Sequence, residues 1–370
     1  MKLIFSDNGM RALLNFRIDV IRHFAARGDE VILIYPQCTH ETERECDIPA
    51  GCRTIALPVN PTGRSIAEDI RYFRSLKRIY KSERPDAIVH YSIKPNIYGT
   101  LAARSAGIKN IAVVAGLGYA FTGNQPGKVI ARAMLRFGLR RADTVITLNT
   151  VIRDLLLSRH FVHSRRLLLL EGGEGVNLDK FRPEANAAAA EPRFLLVARV
   201  LFDKGYEEYV QAASEIHKTY PDVHFDLLGP LDTESPMGVP QERLEEDVRS
   251  GHIRYLGYMT DPRTEIRRSG TVMVLPSWHE GLSRALMEGV AMGLPVIASD
   301  IPGCRELVAE GINGYLCRSH DASSLRGAMS RMLSISDEER AEMGRQSRKL
   351  AEERFDVQKV IEVYESLIGK

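Results

Sequence analysis

The chain has 370 residues, which suits two domains of ordinary size. At 44% hydrophobic and 26% charged residues it has the profile of a soluble globular protein, which excludes a disordered or fibrous chain. The net charge is only +2, but residues 1–185 hold 28 Lys and Arg against 18 Asp and Glu, a balance of +10, and residues 186–370 hold 22 against 30, a balance of −8. The basic half is expected near something anionic: nucleic acid, lipid headgroups or a diphosphate-bearing substrate. A solvated basic surface with no partner is the plainer alternative.

No run of 18 apolar residues occurs, and the longest uncharged run, 110–127, is broken by Gly116, Gly118, Gly123 and Pro126, so no membrane span is expected. The opening MKLIFSDNG reads as a strand rather than a signal peptide. Five cysteines without a CxxC pair (Cys38, Cys46, Cys52, Cys304, Cys317) point to reduced thiols rather than a disulfide frame or a zinc site.

Strand-like and helix-like segments alternate from the start. KLIFS (2–6) reads as a strand. Leu13, Phe16, Val20, Ile21 and Phe24 recur at helical spacing over 13–26, and Gly28 closes that helix. EVILIYP (30–36) is a continuous apolar strand, and 65–81 is a second helix. Strands at 86–91 and 110–116 flank a helix at 99–106, and helix 127–141 leads to strand 143–149. This βαβ repetition predicts a parallel sheet covered on both faces. The Ala-rich stretch 182–192, between two prolines, reads as a linker. Alternation then restarts with strands at 193–200, 223–229, 253–258, 271–277, 295–300 and 314–317, helices at 205–219 and 283–292, and a helical tail from 322.

The expected fold is therefore α/β, with two doubly wound Rossmann-like domains facing across a cleft. One domain spans 1–182 plus a C-terminal helix at about 355–370, the linker spans 183–192, and the second domain spans 193–354. Ligands of open α/β sheets lie at the carboxyl ends of the strands, so two such domains suit two substrates.

The chemistry concentrates in LPSWHEGLSRALMEGVAMGLPVIASDIPGCREL (275–307). Glu280 falls in the loop after a strand, and Glu288 in the second turn of the next helix. Gly281 allows close backbone approach to a ligand, and Ser283 is placed as N-cap. The amides of Ser283, Arg284, Ala285 and Leu286 then form an anion site at the positive end of the helix dipole, suited to a diphosphate. Glu288 can accept hydrogen bonds from vicinal hydroxyls such as those of a ribose. On spacing alone, a helix-surface carboxylate for Glu288 and a helix N-terminal charge for Glu280 remain open.

The E-x7-E pattern, preceded by LPS and followed by GLPVIASDIPGCREL, resembles the retaining glycosyltransferases of family 4, which have the two-domain GT-B architecture. ARVLFDKG (198–205), LLGPL (227–231), YLGYMTD (255–261), GINGYL (311–316) and EGVNLDKF (174–181) match its further elements in order, and the resemblance covers nearly the whole chain. It implies that Arg199 and Lys204 clamp the donor diphosphate, that Glu288 binds the ribose, and that Glu280 sits beside the transferred sugar with the Gly281 and Leu282 amides near its hydroxyls. Tyr258 and the strand end at Gly229 would line the nucleotide pocket. With two cations and helix-end amides on the leaving diphosphate, no metal is implied. Glu280 orients and stabilises charge rather than acting as a nucleophile, since the second carboxylate serves the ribose.

Many family members carry His-Gly where this chain has Ala115-Gly116. The continuation GLGYAF (116–121) and HYSIKPNIYGTLAAR (90–104) resemble a subgroup that builds on polyprenyl-diphosphate-linked sugars. That subgroup implies an acceptor site at Asn8, Gly9, His90, Lys94, Gly116 and Gly118. A satisfied loop histidine and a surface lysine are the plainer readings of His90 and Lys94.

Helix 127–141 places Lys128, Arg132, Arg136 and Arg140 every four residues beside Val129, Ile130, Ala133, Leu135, Phe137 and Leu139. Such a helix suits an anionic membrane surface, or packs as an ordinary amphipathic helix with a solvated cationic face. The whole predicts a metal-independent retaining glycosyltransferase without nucleic-acid partners, peripheral at the cytoplasmic membrane face. A UDP-linked N-acetylhexosamine is the expected donor, GalNAc ahead of GlcNAc and galactose, and a lipid-diphosphate-linked saccharide the acceptor. A sugar-nucleotide epimerase of the same architecture, or a non-catalytic nucleotide-binding module, are the alternatives.

Overall fold

The computed structural model describes residues 1–37, 48–60, 63, 65–116, 121, 125–183 and 192–369. The chain forms two units, Met1–Glu174 with Val357–Lys370, and Gly175–Asp356. The division at 174/175 corrects the boundary expected at 182. Residues 175–182 belong to the second unit because Val176 bridges to Asp356 and Phe181 is buried in that unit's core. Residues 184–191 of the expected linker lie outside the described residues.

Seven strands build the first unit: β1 (Lys2–Ser6), β2 (Glu30–Pro36), β3 (Cys52–Leu57), β4 (Ala87–Tyr91), β5 (Lys109–Val114), β6 (Thr144–Thr147) and β7 (Leu167–Leu169). All pair in parallel, in the order β3-β2-β1-β4-β5-β6-β7. Alternate residues feed two cores, as the pleat requires. Leu3, Phe5, Val31 and Leu33 pack under α1 (Met10–Phe16) and α2 (Ile18–Ala26). Ile4, Ile32 and Ile88 pack under α3 (Ile66–Glu83), α4 (Thr100–Ser105), α5 (Pro126–Leu139) and α6 (Thr150–Ser158). The single helix expected over 13–26 is two, because Arg17 (φ −114°, ψ 0°) leaves helical geometry.

The second unit has six parallel strands: β8 (Arg193–Val197), β9 (His224–Leu228), β10 (Arg254–Tyr255), β11 (Thr271–Leu275), β12 (Val296–Ser299) and β13 (Gly314–Cys317), in the order β10-β9-β8-β11-β12-β13. Its helices are α7 (Tyr206–His217), α8 (Gln241–Arg249), α9 (Arg263–Ile266), α10 (Arg284–Ala291), α11 (Pro302–Arg305), α12 (Ala322–Ser334) and α13 (Asp337–Arg354). The tail then breaks at Phe355, and α14 (Val357–Ile368) returns to the first unit, where Tyr364 Oη lies 2.9 Å from Tyr91 Oη.

Strand order reverses between β1 and β4 in one sheet and between β8 and β11 in the other. At such a switch point the loops leaving the two strands diverge and open a crevice at their carboxyl ends. The loops after β8 and β11 carry Arg199, Lys204 and Glu280. Those after β1 and β4 carry Asn8, Gly9 and Lys94.

Candidate active site

The second unit gathers the residues expected on the donor side. After β8 the chain turns through Arg199 and reaches Lys204 just before Gly205, whose φ of +80° opens α7. A Cβ on Gly205 would stand 2.3 Å from the Pro276 carbonyl oxygen, so only glycine lets this loop lie against the one after β11. The Trp278 amide donates to Asp203 O at 3.0 Å and clips the two loops together. Lys204 Nζ then stands 2.6 Å from Glu280 Oε1, and Ser277 Oγ donates to the same oxygen at 2.9 Å.

Ser283 caps α10, its side chain accepting from the Leu286 amide at 3.3 Å. Leu286 is thereby satisfied within the helix, which corrects its place among the amides expected to bind an anion; the Arg284 and Ala285 amides remain at the helix start. One turn deeper, Glu288 Oε1 accepts from Arg284 Nε at 2.9 Å, and Arg284 Nη1 donates to Gly175 O at 2.6 Å. Burial pushes the Glu288 carboxyl above the ordinary glutamate value, and the Arg284 guanidinium, with Lys180 further off, pulls it partly back. Asp261 also faces Glu288 electrostatically, and hydrogen bonds from Arg263 hold its own carboxyl at about 2.

Arg199 is 55% exposed and pairs with Asp232 at 2.8 Å. Gly229 follows β9, its amide donating to Gly257 O at 2.9 Å; a Cβ there would reach 1.8 Å from Ala198 O. Tyr255 Oη donates to Gly229 O at 2.9 Å, and Tyr258 is exposed after β10. Gly281 and Leu282 are partly buried in the loop between Glu280 and Ser283. A Cβ on Gly303, in α11, would stand 2.5 Å from both the Glu280 and the Gly281 carbonyl oxygens. Among the described residues, no group of three His, Cys, Asp or Glu side chains has the arrangement of a metal site.

The acceptor-side expectations fare differently. His90 is fully buried in β4, its Nε2 3.2 Å from Tyr80 Oη, and burial pushes its pKa down to about 3. It belongs to the core under α3, which corrects its assignment to an acceptor. Lys94 Nζ is held by Asp69 Oδ1 at 2.9 Å and Asn60 O at 3.1 Å, so its charge is already partnered inside the first unit. The Asn8 amide donates to Asp7 Oδ1 at 2.6 Å, and Gly9 precedes α1. Gly116 is exposed after β5, and Gly118 lies outside the described residues.

The basic stripe expected on α5 is also corrected. Lys128 is only 7% exposed, and Arg136 and Arg140 donate to the His160 carbonyl. Exposed on α5 are Val129, Ile130 and Phe137. The helix expected over 65–81 is α3, but its exposed basic face was missed. There Arg71, Arg74, Arg78 and Lys81 are exposed at helical spacing without an ion pair among the described residues, beside Ile66 (78% exposed) and Ile70 (46%). Their i, i+3, i+7 spacing was the available signal. The side-chain roles of Ser277, Arg284 and Asp261 and the close backbone approach at Gly303 had no such signal, because residue type and spacing do not fix the loop and helix-start geometry that brings these groups into contact.

Residues 19–173 match the family described as Glycosyl transferase 4-like domain, and residues 191–334 that described as Glycosyl transferases group 1. The chain belongs to this glycosyltransferase family. It is 26% identical over 350 residues, covering 90% of this chain and 89% of the relative, to N,N'-diacetylbacillosaminyl-diphospho-undecaprenol alpha-1,3-N-acetylgalactosaminyltransferase of Campylobacter jejuni. It is 26% identical over 298 residues (77% and 73% of the two chains) to UDP-Gal:alpha-D-GlcNAc-diphosphoundecaprenol alpha-1,3-galactosyltransferase of Escherichia coli. Its fold matches sucrose-phosphate synthase from Thermosynechococcus elongatus with a TM-score of 0.82 at 20% identity, over 99% of both chains. Anabaena HepE, solved in complex with UDP, matches with a TM-score of 0.78 at 17% identity, over 99% of this chain and 100% of the other. These likenesses show the GT-B fold.

Proposed function

We propose that this glycosyltransferase moves an N-acetylhexosamine, GalNAc before GlcNAc or galactose, from a UDP-sugar to a lipid-diphosphate-linked saccharide with retention of configuration. The observation that carries the reading is the convergence of Lys204, Glu280 and the capped start of α10 at the switch point of the second sheet. A departing nucleoside diphosphate gains negative charge, and Lys204, Arg199 and the amides of Arg284 and Ala285 offer it positive partners without a metal. Glu288 receives the ribose hydroxyls, and Glu280 faces the transferred sugar. The anomeric carbon–oxygen bond to the diphosphate breaks while an acceptor hydroxyl bonds to the same face, and its proton passes to the leaving phosphate oxygen. In this reading the second unit holds the donor and the first unit serves the acceptor.

The names of the two bacterial relatives support the acceptor class and divide between GalNAc and galactose as donor sugars. A lipid-linked acceptor calls for a protein at a membrane surface. No described helix is long and apolar enough to cross a membrane, and the exposed cations of α3, with Ile66 and Ile70, fit peripheral attachment to anionic lipid at the cytoplasmic face. The test is incubation with a panel of radiolabelled UDP-sugars and membrane lipid extract. Label in the lipid phase, strongest from UDP-GalNAc, is expected; label that stays in the aqueous phase with every donor overturns the reading.

A further inference from the structure

Glu280 makes both of its hydrogen bonds through one oxygen, Oε1, and Oε2 has no protein partner among the described residues. The two donors differ in kind. Lys204 is a flexible cation that the proposed mechanism shares with the donor diphosphate. Ser277 is fully enclosed, and its peptide group is fixed on either side: its carbonyl accepts from Ser319 Oγ at 3.4 Å, and the next amide, of Trp278, donates to Asp203 O. Trp278 is itself anchored by its indole N–H on Glu208 Oε1 at 2.8 Å. Gly205 and Gly303 let neighbouring backbone close on Pro276 and on Glu280–Gly281 so tightly that a Cβ at either would meet a carbonyl oxygen. The backbone of this loop has little freedom, which leaves the Glu280 side-chain torsions as its main variable.

We propose that Ser277 is a positioning residue that holds Glu280 by Oε1 throughout the reaction, so that Oε2 is the oxygen presented to the donor sugar. When the diphosphate draws Lys204 away from the carboxylate, the Ser277 hydroxyl is the donor that stays. A hydroxyl suits this task because it is neutral: it fixes the carboxylate without cancelling the charge that the sugar must feel as positive character develops at its anomeric carbon. The inference rests on the reading that Glu280 faces the sugar.

The test compares Ser277→Ala, Glu280→Gln and the double variant in steady-state kinetics with the best UDP-sugar of the panel, alongside UDP affinity by calorimetry. Ser277→Ala should lower kcat about 10- to 100-fold, the worth of one hydrogen bond to a charged group, while UDP affinity stays within about twofold. In the Glu280→Gln background the serine substitution should add little, since it acts only through Glu280. Ser277→Thr, which keeps the hydroxyl, should restore most of kcat, and Ser277→Cys, a weaker donor of similar size, gives an intermediate loss should the alanine variant fold poorly. A wild-type kcat in Ser277→Ala with Glu280→Gln inactive overturns the role of Ser277 alone. An equal loss from Ser277→Ala in both backgrounds does the same, because it marks a general structural effect. Full activity in Glu280→Gln overturns the reading of Glu280 itself.

Discussion

Lys204 Nζ lies 2.6 Å from Glu280 Oε1, so two groups assigned to different parts of the donor bind each other in the free protein. Both side chains are largely buried, and their attraction is little screened. The pair holds the carboxylate and the ammonium together until a diphosphate competes for the ammonium. Arg284 and Glu288 repeat the arrangement one turn along, at 2.9 Å. The proposed donor site thus holds its charges as internal pairs, which a nucleotide sugar would rearrange with little new charge burial on binding.

This sharing separates the effects of two substitutions. Lys204→Ala removes a cation whose value grows as the diphosphate leaves, so kcat should fall by about 10²–10³ with a smaller change in donor KM. Glu288→Ala would remove the proposed ribose contact, made before and during the reaction, so its main effect should be a raised donor KM. Steady-state kinetics of the two variants check the assignment, and wild-type constants in either would sink it.

The raised pKa of Glu288 predicts a pH effect on donor binding. As pH falls, this buried carboxyl takes up its proton earlier than an exposed glutamate and loses its capacity to accept from two hydroxyls. UDP affinity measured by calorimetry should weaken on the acid side above the ordinary glutamate range, and Glu288→Gln should flatten that dependence. The folded state binds this proton more tightly than the unfolded chain does, so the group's contribution to stability rises as pH falls through the folded value. At neutral pH the buried charge works against the fold, and Glu288→Gln should leave Tm unchanged or raise it.

In the proposed mechanism Arg199, Lys204 and the start of α10 supply the positive charge that a metal would otherwise bring. Transfer should therefore proceed at its full rate in excess EDTA. Loss on chelation, restored by Mg²⁺ or Mn²⁺, would show that the leaving-group chemistry is different.

In the proposed attachment to an anionic surface each cation of α3 should contribute about 1 kcal/mol, and added salt should weaken that contribution. Sedimentation with vesicles should require anionic lipid and fall steeply with salt. It should drop when Arg71, Arg74, Arg78 and Lys81 are changed to Gln, and much less when Arg136 and Arg140 are changed, since those two already hold the His160 carbonyl. UDP affinity of the α3 variant should be unchanged. Equal sedimentation of the α3 variant and wild type would remove this helix from the membrane surface.

His90 gives a prediction about stability. With a folded pKa of about 3 against an ordinary value near 6.5, the imidazole stays neutral in the folded protein, and its NMR signals should not titrate between pH 8 and 5. Below about pH 6.5 the unfolded chain takes a proton that the folded chain refuses. Stability should therefore fall as pH drops from 6.5 toward 3, a slope that urea midpoints at pH 7 and 5 measure and that His90→Gln should reduce.

The alternation of apolar runs with 3.6-residue periodicity is a local signal, and it determined that this chain would form two parallel α/β sheets. It also marked the strand ends at which Arg199, Lys204 and Glu280 now stand. Short or half-buried elements gave weaker signals: β3, β7, α6 and α8 escaped the reading, and the 13–26 helix hid its break at Arg17. What only the tertiary structure decided is which polar group meets which. All five residues of β4 are buried, so nothing in their pattern tells that His90 turns into the core rather than toward a ligand. Even spacing of four cations on α5 is silent on the burial of Lys128, because that depends on the packing around the helix. Ser277 and Lys204 are 73 residues apart, and they meet on one oxygen of Glu280 because β8 and β11 are neighbours at a reversal of strand order. Local sequence sets the torsions and faces of each element, whereas a shared hydrogen-bond acceptor exists only after distant loops have been brought within 3 Å of each other.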